Sequence, residues 1–167
     1  MGHAERSREL APLVEGGDMS LQVPVSLKSG HEAIEARLKR AMSERGPVGE
    51  SARRVARVLD GHHMREEKFA LRPLGLLETL GRGETPSEFA QAEELIQGLK
   101  REMPQMIDEH RQIAEALRLL AKEAEAGNKP EYIVLAEEMI LHAHLEEDVL
   151  YPAALLVGKY AALVRGG

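Results

Sequence analysis

The stretch His142-Ala-His-Leu-Glu-Glu-Asp-Val-Leu-Tyr-Pro152 sets two histidines and three acids inside a run of helical periodicity. Leu135, Met139, His142, Glu146, Val149 and Leu156 share one stripe of that helix, so imidazole and carboxylate stand where a structural helix would put aliphatic side chains. The pattern has an earlier copy. An offset of 79 residues carries His31 onto His110, His63 onto His142 and Glu67 onto Glu146. The same offset maps Ile34 onto Ile113, Leu38 onto Leu117, Leu71 onto Leu150 and Pro73 onto Pro152. With only seven histidines in the chain, matches of this kind mark an internal repeat.

The rest of the chain is also helical in period. Pro24 and Ser26 introduce a first helix with Leu27, His31, Ile34, Leu38 and Ala41 in line. After Gly46-Pro47 a second carries Val55, Leu59, His63, Glu67 and Ala70 and ends near Pro73-Leu-Gly75. Gly81 to Pro86 reads as a loop, with Thr85 or Ser87 as cap for a third helix bearing Leu99, Met103, Met106, His110, Ile113, Leu117 and Leu120. Pro104 should kink that helix or mark a fresh start. Gly127-Asn-Lys-Pro130 turns into the fourth. Four amphipathic helices on short connections predict an all-α fold, an antiparallel up-down-up-down four-helix bundle with an internal pseudo-twofold repeat. It would span residues 21–167, behind a polar N-terminal arm, 1–20, interrupted by Gly16-Gly17.

Composition narrows the function. A chain of 167 residues is one domain by size, and 43% hydrophobic with 30% charged residues is globular composition. A net charge of −6 gives no encouragement to nucleic acid or an anionic membrane as partner. The absence of cysteine excludes disulfides, thiolate metal sites and cysteine nucleophiles. No apolar run is expected to approach a transmembrane span, no signal-peptide core is seen, and Arg6 breaks a myristoylation signal. A cytoplasmic protein is the expectation.

Residues at i and i+4 share a helix face, so His63 projects with Glu67 and His142 with Glu146. A buried carboxylate without a partner costs several kcal/mol, and the stripes offer Glu67 and Glu146 no Lys or Arg. Two cations would resolve that cost. Imidazole with carboxylate suits iron, manganese or zinc. If both glutamates bridge, each ion takes two imidazoles and two carboxylate oxygens, and an oxide or hydroxide bridge leaves one octahedral position for a small exogenous ligand.

These residues resemble the hemerythrin-like (HHE cation-binding) family over roughly residues 24–158. "SGHEAIEARL" looks like that family's first helix, "HHMREEKFALRPL" its second, "EHRQIAEALRLL" its third and "HAHLEEDVLYP" its fourth. The resemblance implies a non-haem di-iron centre ligated by His31, His63, Glu67, His110, His142 and Glu146. His31 and His63 would hold one iron, His110 and His142 the other, with both glutamates bridging. Oxygen carriers of the family have a further histidine one turn after the third-helix histidine, and Ala114 stands there in this chain. The likeness is therefore to members that bind or sense O2, NO, or redox or iron state, rather than to oxygen transporters.

The remaining polar residues receive plainer readings. His62, about 100° round the helix from His63, is expected beside the site or at the surface, and His144 outward. Glu66, Glu147 and Asp148 read as a solvated face, with Glu147 in reserve as a ligand. Glu35, one turn after His31, is expected to be exposed, although it could complete a coordination sphere. His3 has no assigned role. A ferritin-like oxidase would need Glu-x2-His pairs and a zinc protease His-Glu-x2-His, and neither occurs. The other classes left standing are a di-iron enzyme acting on peroxide or nitric oxide, and an iron storage or scavenging protein.

Overall fold

A computed structural model describes residues 21–166; the expected N-terminal arm with His3 lies outside the described residues. Helix α1 (Val25–Met42) is followed by α2 (Pro47–Glu66), a π-helical segment π1 (Glu67–Leu71), and the short helices α3 (Arg72–Leu74) and α4 (Leu77–Gly81). Then come α5 (Phe89–Ala126), α6 (Pro130–Leu145), a second π segment π2 (Glu146–Leu150) and α7 (Tyr151–Gly166). The protein is all-helical, with no strand among the described residues.

Local chemistry explains several boundaries. Gly46 adopts φ 72° ahead of Pro47, whose fixed φ and missing N–H suit a first helical position. Pro130 starts α6 in the same way. Helix α5 departs from expectation. It runs through Pro104 as one helix, so the proline marks no fresh start there, with Leu99 and Met106 packed toward one end and Ile113 and Leu117 toward the other. Its N-cap is Glu88 with no side-chain cap bond, so neither Thr85 nor Ser87 plays that part.

Each π segment is closed by an i→i+5 bond, from Arg72 N–H to the Glu67 carbonyl and from Tyr151 N–H to the Glu146 carbonyl. The two begin 79 residues apart, so the repeat is a property of the backbone as well as of the sequence. Such a segment holds one residue more than an α-turn and rotates the downstream helix about its axis. Beyond π2, Tyr151, Ala154, Val157 and Ala161 face inward. Val149 and Leu156, expected on the buried stripe, are 50% and 65% exposed. The α-helical stripe could not foresee that slip.

Two apolar clusters flank a polar layer. One gathers Leu38, Val55, Leu59, Leu117, Leu135 and Met139, among others; the second gathers Leu71, Leu74, Ile96, Leu99, Met106 and Tyr151. Burying each such aliphatic side chain contributes about 1.5–3 kcal/mol. In the second cluster the Phe69 ring of π1 lies against Gly98 of α5, where a Cβ would come within 2.3 Å of the ring. Gly98→Ala should therefore force Phe69 out and cost about 1–3 kcal/mol, measured by denaturant titration. An unchanged midpoint would mean that the ring is not held there.

One expectation from composition needs correcting. The unbroken helix Pro130–Gly166, 37 residues, contains an 18-residue window of mean hydropathy 1.2, long and apolar enough on those grounds to cross a membrane. Soluble core helices pass the same test, yet here only 28% of that window is buried.

Candidate metal centre

The polar layer is built where α1, α2, α5 and α6 pass between the two apolar clusters. Each helix contributes from the turn that crosses this level: His31 from α1, His62, His63 and Glu66 from α2, Glu109 and His110 from α5. His142 closes α6, and Glu146 opens π2. All of these except His142 are buried, and Glu66 has 0% exposure.

Two sets of donor atoms converge. His62, Glu66, His110 and Glu146 form one group, and His31, His142 and Glu146 form the other. Either group could hold a metal ion. Glu146 belongs to both: its Oε1 lies 3.3 Å from His31 Nε2 and 2.7 Å from His142 Nε2, its Oε2 3.3 Å from His110 Nε2. Its two oxygens thus face different groups.

The imidazoles are held from behind. His62 Nδ1 donates to Glu109 at 3.0 Å, His63 Nδ1 to Glu35 at 2.9 Å, His110 Nδ1 to Glu147 at 2.7 Å and His31 Nδ1 to Glu67 at 3.2 Å. A carboxylate on Nδ1–H fixes the ring and leaves Nε2 to point elsewhere, the arrangement that orients metal-binding histidines. Glu109 is itself steadied by Gln105 and Arg65. Tyr151 donates its hydroxyl to Glu66 Oε1 at 2.7 Å.

One contact is unfavourable as it stands. With Nδ1–H given to Glu109, neutral His62 presents a bare lone pair at Nε2, and 3.8 Å away is Glu66 Oε2. Both atoms are buried and neither has an aligned hydrogen bond, although His31 Nε2 lies 3.4 Å from Glu66 Oε2 and pairs with it when protonated. His142 Nε2 is likewise buried without an aligned hydrogen bond. Two buried acceptors facing each other cost stability unless something positive stands between them.

Electrostatics agree with a strongly anionic interior. Burial opposes charge on His31, but hydrogen bonds to Glu146 and Glu66 outweigh it and raise its pKa to about 10. Burial likewise opposes charge on His110, while Glu146 and Glu147 raise it. Burial lowers His62, and burial together with the adjacent His31 cation lowers His63 to about 3. Burial would raise Glu146, yet His110, His142 and His31 hold it well below the usual carboxylate range.

Of the six residues expected as ligands, His31, His110, His142 and Glu146 come together. His63 and Glu67 lie alongside: His63 stacks on His31 at 4.0 Å, and Glu67, 35% exposed at its side chain, accepts from His31. Their places in the donor groups are taken by His62 and Glu66, which had been expected at the edge or in solvent. Both pairs have i,i+4 spacing, one residue apart, so the sequence repeat could not separate them. Helix α2 is turned by that one residue relative to α6. His144 is exposed, as expected. Glu147 and Glu35 touch histidines rather than open solvent alone. Glu109 and Tyr151 carried no sequence signal, since each meets the layer only through tertiary packing.

No family model, curated protein or solved structure matches this chain.

Proposed function

We propose that the chain is a hemerythrin-like, antiparallel four-helix bundle that holds two iron ions and binds or senses a small ligand at them. The observation that carries this reading is the convergence of buried donor atoms into two groups that share Glu146, with His62 Nε2 and Glu66 Oε2 lying 3.8 Å apart without an aligned hydrogen bond. A metal ion between them would relieve both at once, and burial, which lowers the His62 pKa, disfavours a proton on Nε2 doing the same.

The order of layers supports the bundle. Helix α1 passes from Leu27, beside the second cluster, through His31 to Leu38 in the first. Helix α2 runs the opposite way, α5 reverses again, and α6 into α7 follows the direction of α2. Neighbours in sequence thus alternate in direction.

Two donor groups sharing Glu146 support two ions, one at His31, His142 and Glu146, the other at His62, Glu66, His110 and Glu146. Imidazole and carboxylate donors suit iron, with manganese or zinc as alternatives. When bound, such ions supply open coordination positions and reversible one-electron chemistry. The protein's part is to orient imidazoles through Glu35, Glu67, Glu109 and Glu147, and to limit access. The cavity among His62, His63, His110, His142 and Glu146 measures about 10 Å³, about the least that admits one water and far too little for a metabolite. A ligand would therefore have to be small and bind at an open metal position, and binding or sensing is favoured over catalysis on an organic substrate.

Protein from iron-supplemented cells should contain close to two irons per chain, absorb in the near ultraviolet when oxidised, and shift that absorption on adding azide. A folded protein without metal would refute the reading. Turnover of peroxide or nitric oxide in place of reversible spectra would make it an enzyme.

A further inference from the structure

Among the described residues, eight of the eleven exposed large apolar side chains lie on the single helix between Val134 and Val164. They are not scattered. Leu141, Leu145, Val149, Leu156, Tyr160 and Leu163, with exposed Pro152 between them, succeed one another at steps of three or four residues. Val149, Leu156 and Leu163 are spaced by sevens, the repeat of a helix-pairing seam. The slip at π2 is what aligns them. It turns Val149 and Leu156 outward, so that they continue the face begun by Val134 and Leu141.

We infer that this face pairs with the same face of a second copy, the two helices antiparallel about a twofold axis near Val149. The stripe is roughly 45 Å long at about 1.5 Å per residue. Its eight side chains expose on the order of 800 Å², the area that each partner of a standard stable interface contributes. An antiparallel arrangement also matches charge. Exposed Glu137 at one end and exposed Lys159 toward the other carry no ion pair within the described chain, and a twofold axis near Val149 brings each beside the other's copy. A twofold contact uses one patch twice, so a single self-complementary stripe suffices.

Other occupants fit less well. Residues 1–20 contain only Leu10, Leu13 and Val14 as large aliphatics, too few for eight exposed positions. An interfacial membrane helix carries Lys and Arg along its polar flank, whereas Glu137, Glu138 and Asp148 border this stripe.

The full chain, at tens of micromolar, should show by light scattering twice the 18.4 kDa of one chain. Leu156→Glu should yield a monomer with unchanged helical circular dichroism. Lys159→Glu should weaken association about tenfold or more by setting acid against Glu137, and adding Glu137→Lys should restore it. That rescue would not arise from a merely structural effect. A monomeric wild type, or a dimer indifferent to Leu156→Glu, overturns the proposal. Co-sedimentation of a monomeric wild type with phosphatidylcholine vesicles, abolished by Leu156→Glu, overturns it in favour of a lipid surface.

Discussion

Glu146→Ala should abolish metal loading at both donor groups, lowering affinity by ~100-fold or more at each. Removing even a carboxylate that only orients a metal-binding histidine costs about 10–100-fold, and Glu146 faces the donor groups directly. Its Oε1 faces His31 and His142, its Oε2 faces His110, and no other residue is common to both groups. Glu147→Gln, which loosens only the hold on His110 Nδ1, should cost about 10–100-fold with two ions still bound at saturation. His144→Ala, at an exposed position, should load as wild type. Calorimetric titration with ferrous iron under anaerobic conditions measures all three. Full loading of Glu146→Ala would remove the shared carboxylate from the scheme.

Glu66→Gln should cost a metal ion and, in the metal-free protein, trade one buried contact for another. In the metal-free protein Glu66 Oε2 and His62 Nε2 are both acceptors, and the amide of Gln could donate to His62 while its carbonyl keeps the Tyr151 hydroxyl. The new hydrogen bond to His62 would add about 1–3 kcal/mol, but the neutral amide gives up the charge that pairs with His31 at 3.4 Å, so the two changes largely offset in the metal-free protein. The same amide fills the space between the acceptors and is a poor ligand, so one ion should be lost. Glu67→Gln, whose carboxylate is partly solvated and touches only His31 Nδ1, should do neither strongly. If Glu67→Gln lost the ion and Glu66→Gln were silent, the register of the sequence repeat would hold and the donor group on α2 would move by one residue.

Those two glutamates mark where the sequence ceased to be legible. Helical periodicity was plain because Leu, Ile and Met recur at 3.6-residue spacing through α1, α2, α5 and α6. His31, His110, His142 and Glu146 were legible because an aliphatic stripe gives a polar residue no other reason to be there. His62 against His63, and Glu66 against Glu67, differ by about 100° of helix rotation, and α2 is turned by that much relative to its counterpart. Nothing in a local pattern records rotation about a helix axis. The outward turn of Val149 and Leu156 was hidden for a related reason: a π segment has no composition of its own. Glu109 and Tyr151 reach the layer through packing between distant segments, His62 with Glu109 across α2 and α5, Tyr151 with Glu66 across α7 and α2.

The polar layer has a consequence for cooperativity. A continuous apolar interior unfolds as a unit because loss of any part exposes its neighbours. Here two of the three apolar clusters among the described residues, one around Leu117 and Leu135 and one around Leu99 and Tyr151, face each other across a seam of carboxylates and imidazoles. Without an ion at the seam, each compartment is expected to open more readily by itself, as partial unfolding units do in native proteins. Cations at the two donor groups, which between them draw on all four helices, would couple the compartments, since neither could then open without surrendering one. On the proposed reading the weakest plane of the metal-free molecule would become its strongest joint, and metal occupancy would be felt along every helix that crosses it.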